Sequence, residues 1–139
     1  MADETHLDCA EIVYRAISRA RDRDPETGHP ISSAFVRRTA PKDEMGLSIN
    51  HSCDPEHCRR SLSKCFGVVS LHVGHVRELT LDVVPDPSDY EKYDPQHGNI
   101  VGLPRTEMSD EDEALAERLA TKLVKMARVV PPLADAPSG

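Results

Sequence analysis

Thr5-His6-Leu7-Asp8-Cys9-Ala10-Glu11-Ile12-Val13-Tyr14-Arg15-Ala16-Ile17-Ser18-Arg19-Ala20-Arg21 is the stretch on which the fold turns, because it reads in two ways. Thr5 as N-cap, with Asp8 three positions on, forms a capping box, and Cys9, Val13, Ala16 and Ala20 then share one helical face. This favours a helix over Thr5–Arg21. The inner piece Ile12–Ile17 is rich in β-branched and aromatic residues and supports a strand instead. Both readings stay open at the level of sequence.

Outward from this stretch, the residues from Arg21 to Pro30 combine charge, Pro and Gly and read as a surface loop. Ile31–Arg37 and Gly46–Asn50 have short strand character. Asp54 is a good N-cap and Pro55 suits a first helical position, so a helix is expected from Asp54 to Cys65, with Gly67 as its stop. Val68–Val73 and Thr80–Val84 read as strands, with a turn of helix between them. Pro85–Gly98 reads as a long loop, Asn99–Gly102 as a short strand, and Ser109 to about Val129 as a C-terminal helix. That helix has acids in its first turns, Lys122, Lys125 and Arg128 near its end, and an apolar stripe of Leu115, Leu119, Leu123 and Met126. The expected fold is α+β: a small, mostly antiparallel sheet with about three helices, the C-terminal amphipathic helix packed on it. One domain over residues 1–130 and a flexible tail over residues 131–139 complete the expected organisation.

The chain has 139 residues, 38% hydrophobic and with no Trp, which suits one modest core of aliphatic side chains. A net charge of −7 argues against a nucleic-acid partner, whose phosphates need Lys and Arg. The basic run Arg15, Arg19, Arg21, Arg23 is diluted by Asp22 and Asp24. No stretch approaches the roughly 18 apolar residues of a membrane span. Met1-Ala2-Asp3-Glu4 is acidic, unlike the start of a secretory signal, so a cytoplasmic protein with reduced thiols is expected.

His51, Cys53, His57, Cys58 and Cys65 are types that bind zinc. On a helix, however, Cys58 and Cys65 stand about 10.5 Å apart along the axis, too far for one metal that holds each thiolate at about 2.3 Å. Cys58, Leu62 and Cys65 instead form a buried helical stripe, with Cys9 joining the core if the first helix exists. His51, Cys53 and His57 are the remaining weak candidates for a metal, and Cys53, before a helix start, is the candidate reactive thiol. His72 shares a strand face with Val68 and Ser70, and His72 and His75 read as surface or satisfied histidines. The Pro85–Gly98 loop carries Asp86, Asp89, Tyr90, Glu91, Tyr93 and His97, the candidate binding surface, although such a loop is also an ordinary solvated acidic segment. No Walker, nucleophile-elbow or zincin motif is present, and no cofactor is implied.

Val13-Tyr14-Arg15, Ser32-Ser33-Ala34-Phe35, Gly46-Leu47-Ser48, Leu81-Asp82-Val83-Val84 and His97 through Ile100-Val101-Gly102-Leu103-Pro104 occur in that order. In this the chain resembles a set of short bacterial proteins of uncharacterised function. The resemblance covers most of Val13–Pro104 and implies a bacterial source and one domain. A looser pattern is similar to ADP-ribosyltransferase-like domains, which implies a strand bearing Arg15, a second bearing Ser48, and Glu78 or Glu91 as catalytic acid. Two functions are therefore expected. One is a non-catalytic protein-interaction module, binding a protein partner through Pro85–Gly98. The other is a small enzyme or binding domain for a nucleotide- or NAD-like ligand, with Arg15 on a phosphate, Ser48 on a ribose and His97 as acid or base.

Overall fold

In the computed structural model, which describes residues 7–17, 19–36, 47–51, 54–60, 65–85, 97–104 and 109–130, the ambiguous stretch holds a strand, β1 (Ile12–Ile17). The helix expected over Thr5–Arg21 is overturned, and local chemistry explains why. The Asp8 carboxylate accepts from the Ala10 amide at 2.8 Å, and the Glu11 amide donates to the Asp8 carbonyl at 3.0 Å. Asp8 thus closes a turn of its own instead of entering a helix. Beyond it, β1 pairs along its whole length with β3 (Gly67–His72), from Ile12↔His72 to Ile17↔Gly67. A full ladder and the burial of Val13 and Ile17 outweigh a weak helical preference.

The remaining strands are β2 (Leu47–Asn50), β4 (Asp82–Pro85), β5 (His97–Val101) and β6 (Arg128–Val130). Together they make a six-stranded sheet in the order β4-β5-β2-β1-β3-β6, with every pairing antiparallel. Three α-helices are described, α1 (Pro55–Arg60), α2 (Val73–Arg77) and α3 (Asp110–Met126), with 3-10 turns at Ala20–Asp22 and Ser32–Phe35. This is the α+β fold with a long C-terminal helix that the sequence predicts. No helix among the described residues is long and apolar enough to cross a membrane.

Strand alternation separates two faces. Val13, Ile17, Leu47, Ile49, Val69, Leu71, Val83 and Ile100 are buried on the core face, where Phe35 and the α3 residues Leu119, Ala120 and Leu123 join their cluster. Side chains of this kind each contribute about 1.5–3 kcal/mol on burial. Helix α3 opens at Ser109, whose hydroxyl accepts from the Asp112 amide at 3.0 Å, ahead of four consecutive acids. Its buried stripe is Ala116, Leu119, Ala120 and Leu123, and the expected Leu115 is 39% exposed.

Several boundaries differ from expectation. Helix α3 stops at Met126 rather than near Val129, because Ala127 is extended and the β-branched Val129 and Val130 pair with Val69 and Val68. The segment Ile31–Arg37 is not a strand but holds the Ser32–Phe35 turn. Asp54 does cap its helix, its carboxylate accepting from the His57 amide at 2.8 Å, but α1 ends at Arg60 and Cys65 lies outside it. Gly67, expected to stop a helix, opens β3, while His97 and Gly98, expected in a loop, belong to β5. Thr5, Gly46, Leu62 and the tail over residues 131–139 lie outside the described residues.

The opposite face of the sheet is partly covered by α1, where Cys58 and Val68 are buried. Next to β1, the buried Asp22 carboxylate accepts from Arg19 Nε at 3.0 Å and from the Ser33 hydroxyl at 2.7 Å. His29 Nε2 donates to the Val124 carbonyl at 3.2 Å, tying the loop after β1 to α3. The basic run is thereby dispersed: Arg19 pairs with Asp22, and Arg23 lies 5.8 Å over the Phe66 ring.

Candidate functional site

Strand lengths create a notch at one corner of the sheet. β6 pairs only with Val68, Val69 and Ser70, so Leu71 and His72 at the end of β3 have no described strand outside them. The chain leaves α3 and enters β6 through Ala127 beside this gap. The result is an open depression of about 480 Å³ lined in part by Ile12, Ser70, His72 and Met126. Lys125 from the last turn of α3, Arg128 from the start of β6 and His75 from α2 stand around it, all three exposed.

Helix α2 is held in place by backbone bonds. The Val73 amide donates to the Glu11 carbonyl at 3.0 Å and the Gly74 amide to the Cys9 carbonyl at 2.8 Å. A side chain at Gly74 would meet that carbonyl oxygen at 3.0 Å, so the approach needs glycine. Arg77 reinforces the attachment, its Nε donating to Asp82 at 2.7 Å and its Nη1 to Cys9 Sγ at 3.1 Å. The bond to Asp82 raises the Arg77 pKa above its usual value, against the desolvation of the guanidinium, and Cys9 adds to the rise. The helix start then sets the His75 ring 4.3 Å from that of His72, tilted by 30°. His72 is half-buried, and its Nδ1 is buried with no hydrogen-bond partner.

Among the described residues, the lining of the notch contains no carboxylate, in a chain of net charge −7. Lys125 and Arg128 supply two positive charges there. The C-terminus of α3 opposes them with about half a negative charge.

The residues expected to act from sequence lie elsewhere. Arg15 Nε donates to the Ala34 carbonyl at 2.8 Å and Nη1 to the Ser48 carbonyl at 2.7 Å, and its guanidinium lies 5.9 Å over the Phe35 ring. It clasps β1, β2 and the Ser32–Phe35 turn on the core side. Ser48 is exposed between buried Leu47 and Ile49, and so shares the opposite face with Asn50 and with His97, the partner of Asn50. The sheet therefore divides the Arg15 guanidinium from the Ser48 and His97 side chains. Register places His97, Asn50, Tyr14, Ser70 and Arg128 in one row across five strands. With neighbouring strands about 4.8 Å apart, His97 stands about 19 Å from the Arg128 end of that row, far from the notch.

Asp86, Asp89, Tyr90, Glu91, Tyr93 and Cys53 lie outside the described residues. His51 is buried and His57 lies on α1, and among the described residues no three His, Cys, Asp or Glu side chains gather closely enough to hold a metal ion. Cys9 and Cys65 are free thiols. Cys58 is in the core as expected, but Cys9 is exposed, and Cys65 is half-buried with its thiol donating to the Gly67 carbonyl at 3.2 Å. From sequence, His72 and His75 read as surface or satisfied histidines and Lys125 and Arg128 as charges near a helix end. The spacing that would have joined them is the His72–His75 pair at the end of one strand and Lys125–Arg128 at the end of one helix. No protein-family model, curated protein or solved structure matches this chain.

Proposed function

We propose that this protein is a non-catalytic binding module that takes a small molecule at the notch between β3, α2 and the α3–β6 connection. Of the two ligand classes expected from sequence, a protein partner and a nucleotide-like molecule, the notch supports the second. The observation that carries the reading is the concave lining itself, where imidazole, ammonium and guanidinium groups and the Ser70 hydroxyl gather beside the apolar Ile12 and Met126. The module reading is supported by Arg15, which donates to backbone carbonyls instead of facing the notch. The proposed setting is the bacterial cytoplasm, and the free thiols of Cys9 and Cys65 support a reducing compartment.

The test is a melting screen against neutral, cationic and anionic metabolites, followed by amide chemical-shift mapping of any hit. A bound ligand raises the unfolding midpoint, shifts the amides of Ser70, His72, His75 and Lys125 through Arg128, and is recovered unchanged. Shifts confined to another region, or conversion of the ligand, would overturn the proposal.

A second reading follows from one observation: Ile12–Ile17 is the strand that an ADP-ribosyltransferase-like site requires, and Arg15 lies against the Ser48 carbonyl of β2. It predicts NAD binding or cleavage with amide shifts on β1 and β2, and against it stands the sheet itself, which separates the Arg15 guanidinium from the Ser48 hydroxyl. NAD that leaves these strands unshifted would exclude it.

A further inference from the structure

We infer that the ligand of the notch is a compact phosphate monoester carried on a flat or apolar body, a mononucleotide being the simplest example; this deepens the binding-module reading and rests on it. Two features of the lining select the class. Lys125 and Arg128 line the notch from different elements, one in the last turn of α3 and one opening β6, so two cationic groups are available to one ligand. A tetrahedral dianion with several acceptor oxygens uses such an arrangement better than a flat carboxylate. Ile12, 40% exposed, and Met126 provide apolar surface, while the His72 and His75 rings, 4.3 Å apart, offer faces for a planar group.

Charge distribution separates a small anion from a polyanion. At physiological salt a bound charge senses its surroundings over about 8 Å. Within that range a compact phosphate meets Lys125 and Arg128. A long acidic chain or a nucleic acid extends past the notch onto a molecule whose net charge is −7, and is repelled there. The lining adds the Ser70 hydroxyl as a further partner for a phosphate oxygen.

The experiment is calorimetric titration of the full chain with adenosine 5′-monophosphate, adenosine, inorganic phosphate and a short single-stranded RNA. The monophosphate is expected to bind, adenosine to bind at least about tenfold more weakly, and inorganic phosphate to compete for the same site. The double variant Lys125→Ala with Arg128→Ala is expected to weaken the monophosphate by about tenfold or more, and Arg128→Lys to retain most of the affinity because it keeps the charge. Both side chains are exposed, so these variants are expected to fold, which their melting curves verify. Arg118→Ala removes the same charge from α3 about 10.5 Å away along the axis and is expected to change nothing. Adenosine binding as tightly as its monophosphate, at the same amides, would overturn the phosphate assignment while leaving the module reading intact. RNA binding more tightly than the monophosphate through Lys125 and Arg128 would overturn the restriction to compact anions. No binding by any compound of the wider screen would overturn both.

Discussion

Replacing Arg15 distinguishes a clasp from a ligand-binding residue. Its guanidinium donates to two backbone carbonyls, those of Ala34 at 2.8 Å and Ser48 at 2.7 Å, and covers the edge of the buried Phe35. A hydrogen bond from a charged donor contributes about 1.5–3 kcal/mol when shielded. The bond to Ser48 is exposed and is discounted to about 0.5–1 kcal/mol, and the cation–π contact at the outer limit of range adds about 0.5 kcal/mol. Arg15→Ala should therefore destabilise by about 2.5–4.5 kcal/mol. For a chain of this length that is a fall in Tm of about 10 °C, taking roughly 3–4 °C per kcal/mol. Arg15→Lys keeps the charge but not the two-pronged geometry, and should fall by about half as much. Urea unfolding followed by circular dichroism measures both, and titration of the folded variants with the notch ligand should give wild-type affinity. A fully stable Arg15→Ala protein that no longer binds its ligand would refute the reasoning, because Arg15 would then serve the ligand rather than the fold.

Three further perturbations test the frame. At Gly98 a Cβ would stand 2.6 Å from the Val84 carbonyl oxygen, so Gly98→Ala should cost about 2–3 kcal/mol, whereas at Gly67 the nearest atom is 3.7 Å away and Gly67→Ala should be neutral or stabilising by about 0.5 kcal/mol; thermal melts of the pair should move apart. Ser109→Ala removes the hydroxyl that accepts from the Asp112 amide and should cost about 1 kcal/mol, read as a lower urea midpoint with an unchanged slope. The bond to Asp82 raises the Arg77 pKa, so the stability it contributes is fully present below the unfolded value and is lost only as pH rises through the higher folded value; Asp82→Asn should lower Tm by the same few degrees at every pH from about 6 to about 9.

Legibility from sequence followed the range of the forces involved. Asp54 before Pro55, and Ser109 before four acids, are local devices that act within one helical turn, and both helix starts stand where they were expected. Val68–Val73, rich in Val and Leu and bounded by glycines, reads as a strand, and Val68–His72 is one, with Val73 opening α2 instead. The failures lie where a distant partner decides. Ile12–Ile17 has a tolerable helical pattern, and only the six pairings with β3 make it a strand. Arg128–Val130 continues the helical charge pattern of α3 and is turned into β6 by Val68 and Val69. His97 looked like a loop residue because the segment before it is polar and rich in proline, yet it pairs with Asn50.

The candidate site was hidden for the same reason, and more completely. None of its residues forms a motif: Ile12, Ser70, His72, His75, Lys125 and Arg128 come from five elements, and each has a bland role when taken alone. What joins them is a difference in length. β3 has six residues and β6 three, and α3 hands over to β6 through a single extended residue, Ala127. Had the helix run on to Val129, as the sequence suggested, Arg128 would have been one more exposed cation on its last turn and no strand would have followed. Because the β-branched Val129 and Val130 leave the helix to pair with β3, Arg128 is carried to the position opposite Ser70, beside Lys125 and the two histidines. The strand whose existence sequence reasoning missed is therefore the element that assembles the positive lining, and the proposed binding of a compact anion depends on it.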